Sequence, residues 1–292
     1  MSVAQKMAEA SCPASCGEFI QGWISGSEKL VSCPIDWFST VEVRDGAKKP
    51  TERPRMRQML ERVVAYFGYP AALSESLSTA LESTIPIGKG LASSTADIAA
   101  TAVATARYLG ETLSESTLAA LCVNIEPTDS TIFVLPTLFS HLNAQTQFSC
   151  QAAPAMDILL LESDITILTE DYRRHQRESA LISHAAALDD AWLRLQQSCR
   201  MQDPRLLGVA ATQSAIASQA LLPKPMFSQL LALVEEFDLF GVNVAHSGSA
   251  VGLMLDTSKH DVGKLLWQIN QFAIDVPYPQ QHLVKTIAGG VR

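Results

Sequence analysis

Aromatic side chains are scarce in this sequence, at 7% of 292 residues. A core with few of them is built from small and aliphatic groups, which lets helices pack close together. Basic residues are outnumbered, 22 against 30 acidic, for a formal net charge of −8. No block of like charge runs through the chain, so binding along a nucleic-acid backbone is excluded, because that needs a basic face. An acidic chain holds phosphate through a local device instead, a loop or a helix end. Long apolar runs are also missing. The most apolar stretches, residues 158–161 and 230–234, fall far short of the roughly 20 residues that a membrane span needs. The first ten residues carry no apolar segment of the secretory kind, and the expectation is a soluble, cytoplasmic protein. Paired-cysteine motifs are absent. Cys12, Cys16, Cys33, Cys122, Cys150 and Cys199 are irregularly spaced, with no C-x-x-C and no histidine or second pair at zinc-finger distance. Buried reduced thiols are expected rather than a disulfide framework.

What is present is a globular composition, 47% hydrophobic and 18% charged, which rules out disorder over most of the chain. The length suits one large domain or two ordinary ones. Residues 12–43 alternate short apolar runs with Gly, Ser and Pro and predict short strands and turns. Apolar residues at helical spacing predict a helix over 56–67. A strand is expected over 77–87, then a glycine-rich turn and a helix over 92–109 stopped by Gly110. A second helix over 113–124 has Ser114 as a possible cap. Residues 131–139 are apolar and β-prone. A polar stretch over 143–154 suggests a domain boundary, giving units 1–150 and 151–292. Beyond it, strand is expected at 157–168, helices at 183–198, 204–221 and 226–237, strands at 240–245 and 250–255, and a last helix at 259–272. The fold class is α+β with mostly short elements.

The most informative stretch is P-I-G-K-G-L-A-S-S-T, residues 86–95. Gly88 and Gly90 allow backbone conformations closed to other residues and close approach to a ligand. Ser93, Ser94 and Thr95 then enter a helix, whose start offers unpaired N–H groups and the positive end of the helix dipole to an anion. Hydroxyls there can also ligate Mg²⁺, and Lys89 adds a positive charge beside the turn. The stretch is neither a Walker A loop nor a Rossmann G-x-G-x-x-G. From the residues alone, a glycine turn capped by serine carries similar weight.

Residues 86–95 resemble the central motif of the GHMP kinases, P-x-x-x-G-x-x-S-S-[AST]. C-P-A-S-C-G-E at residues 12–18 resembles that family's N-terminal motif, and G-V-N-V-A-H-S-G-S-A-V-G at 241–252 resembles its C-terminal glycine-rich motif. The wording P-A-S-C-G-E-F-I-Q-G is most similar to the branch that phosphorylates L-threonine for the aminopropanol linker of cobalamin. The resemblance implies a GHMP kinase fold, with an N-terminal domain like ribosomal protein S5 domain 2 and a ferredoxin-like C-terminal domain. ATP and substrate would lie between them. It implies ATP-dependent phosphorylation of the L-threonine hydroxyl; homoserine kinase activity, or a non-catalytic sensor on the same fold, are the alternatives.

The resemblance also distributes roles. Pro86, Ile87, Gly88, Lys89, Gly90, Leu91, Ala92, Ser93, Ser94 and Thr95 would hold the triphosphate. Ser94 would bind Mg²⁺, with Glu126 as the candidate second ligand; otherwise Glu126 is a surface glutamate at a helix end. Asp129, in the turn E-P-T-D-S, would act as general base or orient the attacking hydroxyl; its other reading is an ordinary turn aspartate. Arg173, in T-E-D-Y-R, would meet the substrate carboxylate, unless it belongs to a solvated cluster with Arg174 and Arg177. Glu18 would pair with the substrate ammonium. Ser247 and Gly248 would contact phosphate or substrate, or simply connect two strands.

Overall fold

The structure, a computed structural model, describes residues 6–145, 147–165 and 178–292. In chain order the elements are β1 (Met7–Ile24), β2 (Ser27–Asp45), α1 (Pro54–Tyr66), α2 (Ala71–Glu75), β3 (Leu77–Ser83), α3 (Ser93–Leu109), α4 (Glu115–Val123) and a 3-10 turn (Ser130–Ile132). There follow β4 (Thr137–Phe139), β5 (Gln147–Ser149), β6 (Asp157–Glu162), α5 (Glu178–Ser183), α6 (Ala185–Met201) and α7 (Pro204–Ser218). The chain closes with α8 (Phe227–Glu236), β7 (Gly241–Val244), β8 (Val251–Leu255), α9 (Val262–Gln271) and β9 (Gln280–Lys285). The class is α+β, as expected. The described strands form one antiparallel sheet in the order β5-β4-β2-β1-β7-β8-β6-β9, with β3 also paired to β2. Residue 150 falls between β5 and β6, and the sheet continues across it through the β1–β7 pair.

The sequence suggested short strands over 12–43, but β1 and β2 are 18 and 19 residues long and form one hairpin. Pro13, Ser15 and Gly17 do not end β1. They sit at register shifts between Pro13 and Ala14, Ser15 and Glu18, and Glu18 and Ile20. The real turn is the pair Ser25 (φ 48°) and Gly26 (φ 84°), a left-handed two-residue turn that matches the twist of paired strands. The β-prone run 131–139 is also mostly not strand. Ser32 and Ser130 exchange hydrogen bonds, each hydroxyl accepting from the other's backbone N–H at 3.0 and 2.8 Å. That holds the segment in a turn until β4.

Helix α3 is built largely of small side chains. Ala96, Ala99, Ala100, Ala102, Ala104 and Ala106 are all buried where the helix packs on β1, β2 and α1. Its polar residues are satisfied inside. Thr101 and Thr105 donate to the carbonyls four residues back, each at 2.7 Å. Asp97 accepts from Ser39 at 2.5 Å and from Arg53. A helix buried nearly all round thus avoids the cost of unpaired polar groups. Ala210 and Ala211 have a packing role as well, on α7 against β1 and β7. There Gly208 lies on the Phe240 backbone with no room for a Cβ. The cysteines are free, five buried and Cys150 partly so. Among the described residues no helix is long and apolar enough to cross a membrane.

Candidate active site

After β3 the chain enters a run in which alternate residues are left-handed: Gly88 (φ 74°), Gly90 (φ 80°) and Ala92 (φ 60°). The N-cap of α3 is Ala92, and no side chain caps the helix. The serine-capped turn is therefore not what forms; Ser94 and Thr95 direct their hydroxyls elsewhere. The uncapped helix start lines a cavity of about 450 Å³, with residues 86–88 and 90–95 on its wall. That volume is in the range of small-molecule sites. Glu18, Arg55, Glu126, Asp129, His141 and Ser247 also face it.

Two loops brace each other here. The Lys89 carbonyl accepts from Ser249 N and Ala250 N, both at 3.1 Å. Gly90 and Gly248 touch backbone to backbone, and a Cβ on Gly90 would fall 2.5 Å from the Ala245 Cβ. Behind this contact Lys224 is buried and donates to the Gly248 carbonyl at 2.6 Å. Burial lowers the Lys224 pKa to about 7. Above about pH 7 the folded chain has released a proton that the unfolded chain holds until lysine's ordinary range. Stability therefore rises with pH between about 7 and 10. Lys224→Met is expected to abolish this rise, as read from urea midpoints across that window; parallel curves for both proteins would show that Lys224 does not titrate there.

The hydroxyls of α3 reach the turn after α4. Ser94 donates to Glu126 Oε1. Arg55, at the start of α1, ion-pairs with Glu126 Oε2 at 2.5 Å and donates to Ser94 Oγ at 3.2 Å. Thr95 donates to Asp129 Oδ2 at 3.0 Å, and Asp129 N donates back to Thr95 Oγ1 at 3.1 Å. The His141 carbonyl accepts from Thr128 N at 3.0 Å. With the Ser32–Ser130 exchange, this turn is held at both ends and presents Asp129 rigidly.

Residues 55–136 match the family model for the GHMP kinases N terminal domain. The chain is 59% identical over 285 residues to the L-threonine kinase of Citrobacter freundii, covering 98% of this chain and 99% of that one. It is 56% identical over 286 residues to the L-threonine kinase of Salmonella typhimurium, covering 98% and 95%. The chain belongs to the GHMP kinases. The homoserine kinase of Cytophaga hutchinsonii shares the fold at a TM-score of 0.68 and 14% identity, over 100% of this chain and 98% of that structure.

In this GHMP kinase Glu18 is placed by a bulge. Gly17 (φ 57°) packs on the Val244 backbone, and the register of β1 slips on both sides of Glu18. Such bulges re-aim side chains. Glu18 is buried, and its Oε2 has no hydrogen-bond partner among the described residues. Burial first, then the charge of Asp129, push its pKa well above the ordinary carboxylate range, against a smaller opposing effect of the Ser32 hydroxyl. The folded chain thus keeps a proton that the unfolded chain releases, so Glu18 makes stability fall as pH rises through the ordinary glutamate range. Glu18→Gln is expected to melt higher than the wild type at neutral pH, with a gap that closes on acidification. A constant gap in melting temperature would contradict this.

The structure thus brings together Glu18, Ser94, Glu126, Asp129 and Ser247. Glu126 is not a surface glutamate, its side chain being 12% exposed. Gly248 packs behind Gly90, and the Lys89 ammonium donates to the Ser163 carbonyl at 2.7 Å. Arg173, with Arg174 and Arg177, lies outside the described residues. Sequence reasoning missed Arg55, although an arginine in the first turn of a helix, where the dipole disfavours it, was a usable signal. It also missed Lys224 and His141, which have no local pattern.

Proposed function

We propose that this GHMP kinase transfers the γ-phosphoryl group of ATP to the side-chain hydroxyl of L-threonine, giving L-threonine O-3-phosphate. One observation carries the reading: an uncapped helix start behind a glycine loop shares a cavity with two carboxylates, Asp129 and the buried Glu18. It lies in a chain 59% identical to an enzyme named L-threonine kinase. Residues 1–150 form the ATP-binding unit and 151–292 the C-terminal unit. The backbone N–H groups of residues 87–95 hold the triphosphate, with Pro86 leading into the loop, aided by the α3 dipole. Ser94 and Glu126 hold Mg²⁺; both offer hard oxygen donors, already in contact with each other, which suits that ion. When bound, Mg²⁺ neutralises phosphate charge.

Arg55 sets a second cation beside Glu126 and limits repulsion between that carboxylate and the phosphates. Asp129, held by Thr95, accepts a hydrogen bond from the threonine hydroxyl and orients it in line with the γ-phosphorus. Glu18, which gives up its proton as the substrate ammonium approaches and favours the charged form, and Arg173 read the substrate ammonium and carboxylate, and Ser247 contributes a polar contact from the opposing loop. The reaction takes place in the cytoplasm, and its product serves the aminopropanol linker of cobalamin. A coupled ADP-release assay across threonine, serine, homoserine, mevalonate and galactose tests the substrate, with the highest kcat/KM expected for threonine. Faster turnover of homoserine, or no preference, would overturn it.

A further inference from the structure

Glu28, His141 and His246 come from three distant parts of the chain: the start of β2, the segment after β4 and the loop between β7 and β8. Each offers one donor atom, and these atoms all lie within 4.8 Å of one another. His246 Nε2 is 3.1 Å from Glu28 Oε1. The two imidazoles meet edge to face with centroids 4.9 Å apart. Both histidines are buried, at 2% and 7% exposure, and both line the cavity described above.

We infer that these three side chains form a binding site for a divalent transition metal of the zinc class. Two imidazoles and one carboxylate are the donor set that such ions prefer, whereas Mg²⁺ prefers oxygen alone. Donors on one tetrahedral zinc, each about 2.0–2.1 Å from it, lie about 3.3 Å apart. The His246–Glu28 pair already stands near that distance. No donor pair is more than 4.8 Å apart, so none has to close by more than about 1.5 Å. Three protein ligands leave a fourth position, and because both histidines line the cavity it is open to water or to a carboxylate or amine of a bound small molecule. The site is separate from Ser94 and Glu126 in donor chemistry. It ties β2 to the two segments that brace the cavity, since the His141 carbonyl holds Thr128 N and His246 opens the loop that packs on Gly90.

The test uses the full chain, stripped with a chelator and titrated with Co²⁺ and Zn²⁺ without nucleotide or amino acid. One equivalent of Co²⁺ is expected to give the intense visible d–d bands of a tetrahedral centre, displaced by Zn²⁺ and not by excess Mg²⁺. Zn²⁺ is expected to raise the melting temperature. Glu28→Gln, near-isosteric and at a partly exposed position, is expected to weaken Zn²⁺ binding at least about tenfold, and His246→Asn about a hundredfold, as losses of direct ligands. Weak octahedral Co²⁺ spectra would overturn the inference, as would Zn²⁺ binding equal in wild type and Glu28→Gln. Circular dichroism of each variant separates loss of the metal from loss of the fold.

Discussion

Asp129→Ala is expected to lower kcat by roughly 10²- to 10⁴-fold, the usual range for a positioned proton acceptor. That corresponds to about 3–5 kcal/mol of transition-state stabilisation. Stability should change far less. Among the contacts of the described residues, the mutation removes the hydrogen bond that Thr95 donates at 3.0 Å, worth about 1 kcal/mol. It also removes the charge that raises the Glu18 pKa, which acts in the opposite direction. The turn itself is held by Ser32, Ser130 and Thr95 through backbone groups that the substitution leaves in place. The variant should therefore fold, bind ATP and turn over slowly, as read by single-turnover kinetics beside thermal melts. Asp129→Asn separates the two roles of the carboxylate. A rate close to wild type means that Asp129 only orients the hydroxyl; a rate as low as that of the alanine variant means that it takes the proton. Wild-type kcat in Asp129→Ala would remove the residue from the mechanism.

Gly90→Ala is the second large effect. Its φ of 80° costs about 1–3 kcal/mol for a residue with a side chain. In addition the new methyl would meet the Ala245 Cβ at 2.5 Å and the Gly248 Cα at 2.8 Å. The two loops must then separate, and the backbone N–H groups facing the phosphates lose their alignment. We expect kcat/KM for ATP to fall at least about a hundredfold, in line with about 3 kcal/mol of lost electrostatic positioning. Gly110→Ala is the control. It lies at the other end of α3 with φ 81° but open space around it, so it carries the backbone strain alone. Similar losses of ATP use in both variants would show that strain, and not the Gly90–Gly248 contact, sets the cradle.

Glycine, proline and capping residues made the local architecture legible. Gly110 ends α3 in the left-handed conformation, and Ser114 accepts from Thr117 N to cap α4, both as their residue types suggest. The helices over 56–67 and 92–109 were visible because helical periodicity is a property of neighbours in sequence. So was the glycine loop, since its φ values are a demand of the backbone itself. The same local cues misled over 12–43, where glycine and proline sit in bulges of long strands. A bulge and a turn use the same residues, and only the pairing partner distinguishes them.

By itself, then, the sequence of this GHMP kinase determined the α+β class, the glycine loop at a helix start and the turn that carries Asp129. Tertiary structure alone decided what those parts meet. It set Ser94 against Glu126 and Arg55, buried Glu18 beside Asp129, placed Gly248 behind Gly90 and Lys224 behind both, and gathered Glu28, His141 and His246. The physical reason is range. Backbone conformation and helix periodicity act over a few residues, whereas burial, charge pairing and ligand geometry depend on atoms brought together across separations of 24 to 218 residues.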